Sequence, residues 1–354
     1  MRLSRPAALG AAAVTAVAAL AATAAPAGAA TNDPLYAKQY GPQQVHAEQA
    51  WATSTGAGTV IAVVDTGVDF TQPDLQGKLL TGATFINCNP SCGNGDWRGP
   101  DGVAQDNDTH GTHVSGIAAA ATNNGVGIAG VAPDAKVLPV KVLEDGSGSY
   151  EDIAHGVRWA ADHGADVINM SLGGLQGTQA LSLTGLDTTL QDAILYAKSK
   201  GVAIVAAAGN DGVPLCNSPG FDEGVLCVVA TDKREARSAY SSGPIRPDLN
   251  AVAAPGGSSL PICGEDIVST VPAGTSASGA TCGYGNAYDE YAGTSMATPH
   301  VAGVAALLAA QGRTVDQIYT ALTSTARTPG TGSRGTFTPT YGYGIVDAAA
   351  AVAS

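Results

Sequence analysis

The sequence predicts an α/β protein built on a mostly parallel sheet, and three features carry that prediction. Residues 58–64 form an unbroken apolar run rich in β-branched side chains, the pattern of a parallel strand buried on both faces. Between residues 136 and 231, runs of that kind alternate with helix-length segments, as βαβ units require. Residues 296–310 are almost wholly Ala, Val, Leu and Gly, too short for a membrane span and closed by Gly312, so they read as a buried helix.

Taken in order, residues 1–30 read as an export signal. Arg2 and Arg5 charge the start, residues 7–22 are apolar, and Pro26, Gly28 and Ala30 belong to a small-residue exit with cleavage expected after Ala29 or Ala30. That leaves residues 31–354 as one domain, since no repeat or linker marks a second. Residues 31–49 are polar and loop-like, and the 58–64 strand ends on Asp65-Thr66-Gly67. Residues 82–109 are a Gly, Asn and Asp-rich insertion, and a helix of small residues is expected over 110–121. Strands are then expected at 136–143, 167–172, 202–208, 225–231 and 250–254, and helices at 150–163, 186–200, 296–310 and 314–325.

Composition narrows the function classes. The 354 residues are 45% hydrophobic and 13% charged with 46 Gly, so a sizeable core packs elements with short side chains closely. Without residues 1–30 the balance is 15 basic against 30 acidic residues, which offers no electrostatic footprint for nucleic acid or an anionic membrane. Clustered carboxylates would instead favour hard cations. All six Cys lie beyond the signal, and an even number in an oxidising compartment argues for disulfides. Pairing of sequence neighbours (88–92, 216–227, 263–282) is expected. Zinc is disfavoured, as no Cys-x-x-Cys occurs and no His is nearby.

Four side chains stand where chemistry is done. Asp65 ends the first strand, and sites on open parallel sheets form at carboxyl ends of strands. Its Asp-Thr-Gly occurs once, so a paired-carboxylate protease would need two chains. His110 opens a helix of small residues; His113 at i+3 reads as packed rather than metal-binding, with no carboxylate ligand on that helix. Asn210 follows the 202–208 strand in a Gly-flanked turn, where its amide suits an oxyanion. Ser295 stands at the mouth of the 296–310 helix, either as a cap or as a nucleophile facing the positive helix end. Together they are the parts of a serine hydrolase. The order Asp65, His110, Ser295 is neither that of α/β-hydrolases nor of chymotrypsin; it is the order of subtilisin.

At this point the chain resembles the secreted subtilases, and within them the thermitase-like branch. The segments around Asp65, His110-Gly-Thr-His-Val-Ser-Gly, Ser171-Leu-Gly-Gly, Ala-Ala-Ala-Gly-Asn210, Gly-Thr-Ser295-Met-Ala-Thr-Pro-His and Tyr343-Gly-Ile-Val-Asp347 carry the resemblance. It implies a three-layer α/β/α subtilisin-like fold with a left-handed crossover, and a serine endopeptidase using Asp65, His110, Ser295 and Asn210. It further implies that Ser171, Leu172 and Gly173 pair with an extended substrate. Ala207, Ala208, Gly209 and Asn217 would line the primary specificity pocket; being small and uncharged, they suggest large apolar residues before the cleaved bond. For structural calcium it implies side-chain oxygens of Asp33, Asp74 and Asn124, with carbonyls of Ala121, Val126 and Ile128. For Asp96, Asp101, Asp106 and Asp108 two readings stand level, a second and weaker calcium site or a solvated acidic loop. The expected partners are protein or peptide substrates met extracellularly by a monomer. Family members usually carry a folding pro-segment, and none intervenes here between the signal and Asp33. A silent peptide-binding module and an esterase or amidase are the alternatives; the full set of four residues speaks against the former, and an extended peptide groove against the latter.

Overall fold

The computed structural model describes Met1 and residues 31–86, 106, 108–174 and 188–354. The signal segment, the Cys88–Cys92 pair, Asp96 and Asp101 lie outside the described residues.

Seven strands form one parallel sheet: β1 (Val60–Asp65), β2 (Ala83–Thr84), β3 (Lys136–Lys141), β4 (Val167–Met170), β5 (Ala203–Ala207), β6 (Leu226–Thr231) and β7 (Ala251–Pro255). Their spatial order is β2-β3-β1-β4-β5-β6-β7. A separate antiparallel pair joins β8 (Ile267–Thr270) to β9 (Tyr288–Tyr291). The helices are α1 (Tyr40–Gln44), α2 (Ala47–Ala50), α3 (His110–Ala119), α4 (Tyr150–Asp162), α5 (Thr189–Ser199), α6 (Gly279–Cys282), α7 (Thr294–Ala309), α8 (Val315–Thr325) and α9 (Ala348–Val352).

The strands are apolar throughout because each feeds two cores. In β1, Ile61 and Val63 join the cluster containing Val114 and Ile117 of α3 and Val301 and Val304 of α7. Ala62 and Val64 point the other way, into the cluster with Ile153 and Val157 of α4 and Ile194 of α5. That two-residue alternation makes a three-layer α/β/α sandwich out of an unpatterned apolar run. The small residues of α7 are a packing requirement. A Cβ on Gly303 would come within 2.6 Å of the Val131 side chain.

Registry brings the site together. β1 lies between β3 and β4, with Asp65 opposite Lys141 and Val63 opposite Asn169, while Met170 of β4 faces Ala206 of β5. The carboxyl ends of β1, β4 and β5 therefore open on one edge of the sheet.

Strand ends fall short of the expected ranges: residues 142–143, 171–172 and 208 leave the ladder. β2, too short to carry a period, gave no sequence signal. β8 and β9 bury Ser269, Thr270 and Asp289, so apolar alternation does not mark them. Cys216 pairs with Cys227 and Cys263 with Cys282, as expected of sequence neighbours. No helix among the described residues is long and apolar enough to cross a membrane.

Candidate active site

Ser295 lies in the first turn of α7, and Gly293 occupies the cap position without a side-chain bond, so the capping role is not its own. Pro299 lies inside the same helix. Proline has no N–H to offer the carbonyl four residues back, which here is Ser295 O. Ser171 Oγ donates to that carbonyl instead, at 2.7 Å. Ser295 Oγ in turn donates to Ser171 O at 3.1 Å, and Asn169 Nδ2 donates to Ser171 Oγ at 2.9 Å. The helix start and the end of β4 are thus stitched together by a serine pair.

Asp65 is fully buried, and its Oδ1 lies 2.7 Å from His110 Nδ1. The same oxygen accepts from Thr66 N–H at 2.7 Å. α3 can approach this closely because residue 111 is Gly: a Cβ there would stand 2.0 Å from the carbonyl oxygen of Gly67. Burial pulls the His110 pKa down. The Asp65 carboxylate, its hydrogen bond, and the charges of Asp108 and Asp106 outweigh that, and the net shift is upward. The His110 side chain is about a quarter exposed.

Asn210 is exposed at the turn after β5. Its Oδ1 accepts from both the N–H and the Oγ1 of Thr294, each at 2.9 Å. This fixes which end of the amide is which and leaves Nδ2 without an acceptor among the described residues.

His110 and Ser295 share a groove cavity of about 600 Å³ with Thr66, Asp108, Leu143, Ser147, Tyr150, Ser171, Leu172 and Gly173. An adjoining cavity of about 260 Å³ is lined by Leu172, Gly173, Ala207, Gly209, Asn210, Asp211, Asn217 and Ser295. Of the expected pocket residues, Ala208 is not there. It follows Ala207 with the opposite orientation and packs with Cys216, Cys227 and Val229 behind the wall. Asp211 is an addition. Its carboxylate accepts from Asn217 Nδ2 at 2.7 Å, so the pocket of small uncharged residues carries one negative charge.

The remaining buried histidines are structural in their contacts. His113 stacks on Tyr291 at 4.4 Å between ring centroids, and burial with the nearby His110 lowers its pKa to about 3. Burial lowers His300 to about 4, with Nδ1 on the carbonyl of Met296.

The residues expected to hold calcium converge. Asp33 and Asp74 are both buried. Asp33 accepts from the N–H groups of Asn123 and Asn124 at 2.9 and 3.1 Å, and Asp74 from Asn124 Nδ2 at 2.9 Å and Ile128 N–H at 2.7 Å. Ala121 N–H donates to Asp74 O and Val126 N–H to Asn124 Oδ1, each at 2.8 Å. Burial pushes the Asp74 pKa up to about 6, its hydrogen bonds opposing and Asp33 adding repulsion. Two buried carboxylates without an ammonium or guanidinium partner among the described residues suit a hard divalent cation. For the Asn124 oxygen to join such an ion, its amide must turn over.

Of the acidic residues named before His110, Asp106 and Asp108 are among the described residues. Asp106 is buried, and both its oxygens are taken by protein N–H and O–H donors. Its signal in the sequence was a local one: a carboxylate accepting from the N–H groups two and three residues on is an Asx turn.

Residues 56–344 match the family model described as the subtilase family. The chain is 43% identical over 305 residues to "Thermitase" of Thermoactinomyces vulgaris, covering 85% of this chain and 94% of that protein. It is 37% identical to "Subtilisin Savinase" of Lederbergia lenta, with 84% and 91% coverage. It is 39% identical to an "Extracellular protease" of Xanthomonas campestris, of which it spans only 52% while 86% of this chain is covered. Among solved structures, a protease of Pseudoalteromonas arctica superposes with a TM-score of 0.75 at 37% identity, covering 92% of this chain and 99% of that one.

Proposed function

The chain belongs to the subtilase family of serine proteases, and on that premise we propose that it is a secreted endopeptidase working through an acyl-enzyme on Asp65, His110 and Ser295. The observation that supports this reading is the Asp65–His110 hydrogen bond beside Ser295 in one groove. His110 Nε2 takes the Ser295 proton as Oγ leaves Ser171 O and attacks the substrate carbonyl carbon. The carbonyl electron pair moves onto oxygen, where Asn210 Nδ2 and the positive end of α7 stabilise it. His110 then delivers the proton to the amine nitrogen as the C–N bond breaks, and water reverses the sequence on the acyl-enzyme. Asp65 holds the ring by Nδ1 and stabilises the imidazolium.

Leu172 and Gly173, just past the end of β4, offer backbone to an extended substrate, with Ser171 anchoring them to α7. Ala207, Gly209 and Asn217 leave room for large apolar side chains, and Asp211 extends tolerance to cationic ones. Asp33, Asp74 and Asn124 would hold a structural Ca²⁺, whose charge compensates the buried carboxylates. Export by residues 1–30 accords with the composition and with the names of the extracellular relatives.

The test is hydrolysis of a denatured protein and of a Phe-ended peptide anilide by wild type, Ser295→Ala and Asn210→Ala. Wild type should cut both and Ser295→Ala neither. Asn210→Ala should lose about 10²–10³ in kcat, the magnitude known for one such donor in subtilisin. A folded wild type that cuts neither substrate leaves a silent groove.

A further inference from the structure

We infer that Asp106, through Thr66, is a positioning residue that clamps the end of β1 to the start of α3 and so sets the Asp65–His110 alignment. This rests on the proposed catalytic role of that pair. Asp106 touches neither residue. Its Oδ1 accepts from Thr66 Oγ1 at 2.9 Å, Asp108 N–H at 3.1 Å and Thr109 N–H at 3.0 Å. Its Oδ2 accepts from Thr112 N–H at 2.9 Å and from Thr112 Oγ1. One buried carboxylate therefore gathers the residue after Asp65, the residue before His110 and the first turn of α3.

Thr66 is the hinge pin of the clamp. Its N–H donates to Asp65 Oδ1, its carbonyl accepts from Lys141 Nζ at 2.7 Å, and its Oγ1 accepts from Gly111 N–H at 2.9 Å while donating to Asp106. Thus Asp65 and the helix carrying His110 are referenced to the same hydroxyl. Thr109 supplies an independent sign of the load. It takes φ of 108°, a region costly for a β-branched residue, immediately before His110. Such a conformation persists where its surroundings over-determine it. Here Asp106 holds its N–H, and Tyr291 Oη lies 2.8 Å from its Oγ1.

A charge this near also adds to the field on His110. The titratable groups facing that ring are Asp65 from β1, Asp106 and Asp108 from the turn, and His113 from its own helix; the three carboxylates raise its pKa. Removal of the Asp106 charge therefore moves the acid limb of kcat/KM to lower pH, whereas a merely structural loss leaves the limb in place.

The experiment compares Asp106→Asn, Thr66→Val and Thr66→Ser with wild type in kcat, KM, acid limb and the low-field NMR resonance of the His110 Nδ1 proton. Asp106→Asn and Thr66→Val should lower kcat about 10–100-fold with KM within about 2-fold, as misalignment of this order does. The resonance should shift or broaden in both, and the acid limb should fall in both, further in Asp106→Asn, which removes a charge as well as the alignment. Thr66→Ser, which keeps the hydroxyl, should restore kcat to within about 2-fold of wild type. Unchanged kcat and resonance in both folded variants overturn the inference, as does an equal loss in Thr66→Ser and Thr66→Val. If Asp106→Asn does not fold, the Thr66 pair decides alone. The resonance needs no turnover, so the clamp is judged even if Ser295→Ala proves active and the catalytic reading fails.

Discussion

Replacing Ser171 by Ala should weaken the protein measurably and misplace Ser295, although Ser171 neither titrates nor carries charge. The perturbation removes one hydroxyl that serves two partners. Asn169 Nδ2, fully buried, loses its acceptor, and Ser295 O, part-buried, loses its donor. Pro299 cannot replace that donor, because its nitrogen bears no hydrogen. An orphaned buried amide costs about 1–3 kcal/mol and a lost bond to a part-buried carbonyl about 0.5–1.5, so the sum is about 1.5–4.5 kcal/mol. The assay is urea unfolding in a Ser295→Ala background, which suppresses self-digestion while leaving the Ser295 carbonyl in place. Pro299→Ala returns an N–H four residues on from that carbonyl, so the Ser171→Ala/Pro299→Ala pair should be coupled, recovering about 0.5–1.5 kcal/mol. A Ser171→Ala cost under about 0.5 kcal/mol, or strictly additive substitutions, would refute the reasoning.

Three further outcomes are expected. Asp65→Asn should lower kcat about 10⁴-fold, as the equivalent change does in chymotrypsin-type triads; its acid limb should move to lower pH, because the carboxylate that holds the His110 pKa up is gone, read from kcat/KM against pH. Chelation should lower the unfolding temperature of wild type but scarcely that of Asp74→Asn. In the chelated protein, Asp74 has a folded pKa near 6, above its ordinary value of 3.8, so its contribution to stability is present below pH 3.8 and is lost as pH rises through 6; thermal unfolding from pH 4 to 7 with and without Ca²⁺ checks the sign. Asp211→Asn should change the Lys-to-Phe preference before the cleaved bond by about 2–5-fold toward Phe, the scale of an exposed charge pair, measured on paired anilides.

Much of this was present in the chain itself. The apolar runs at 58–64 and 202–208 and the small-residue helix at 296–310 determine a doubly covered parallel sheet, because only burial on both faces tolerates such strands. Asp65, His110, Asn210 and Ser295 were legible because each lies at an element boundary where a polar residue interrupts an apolar run. Tertiary structure alone decided the supports around them. Ser171 serves Ser295 across 124 positions of chain, and Thr66 joins Asp106 across 40. Ala208 turns its back on the pocket while Asp211 enters it, according to a strand end that sequence placed one residue late. Local propensity and periodicity describe a residue's own element. Which hydroxyl reaches which orphaned carbonyl is set by how two elements distant in sequence are packed, and no single stretch contains that information.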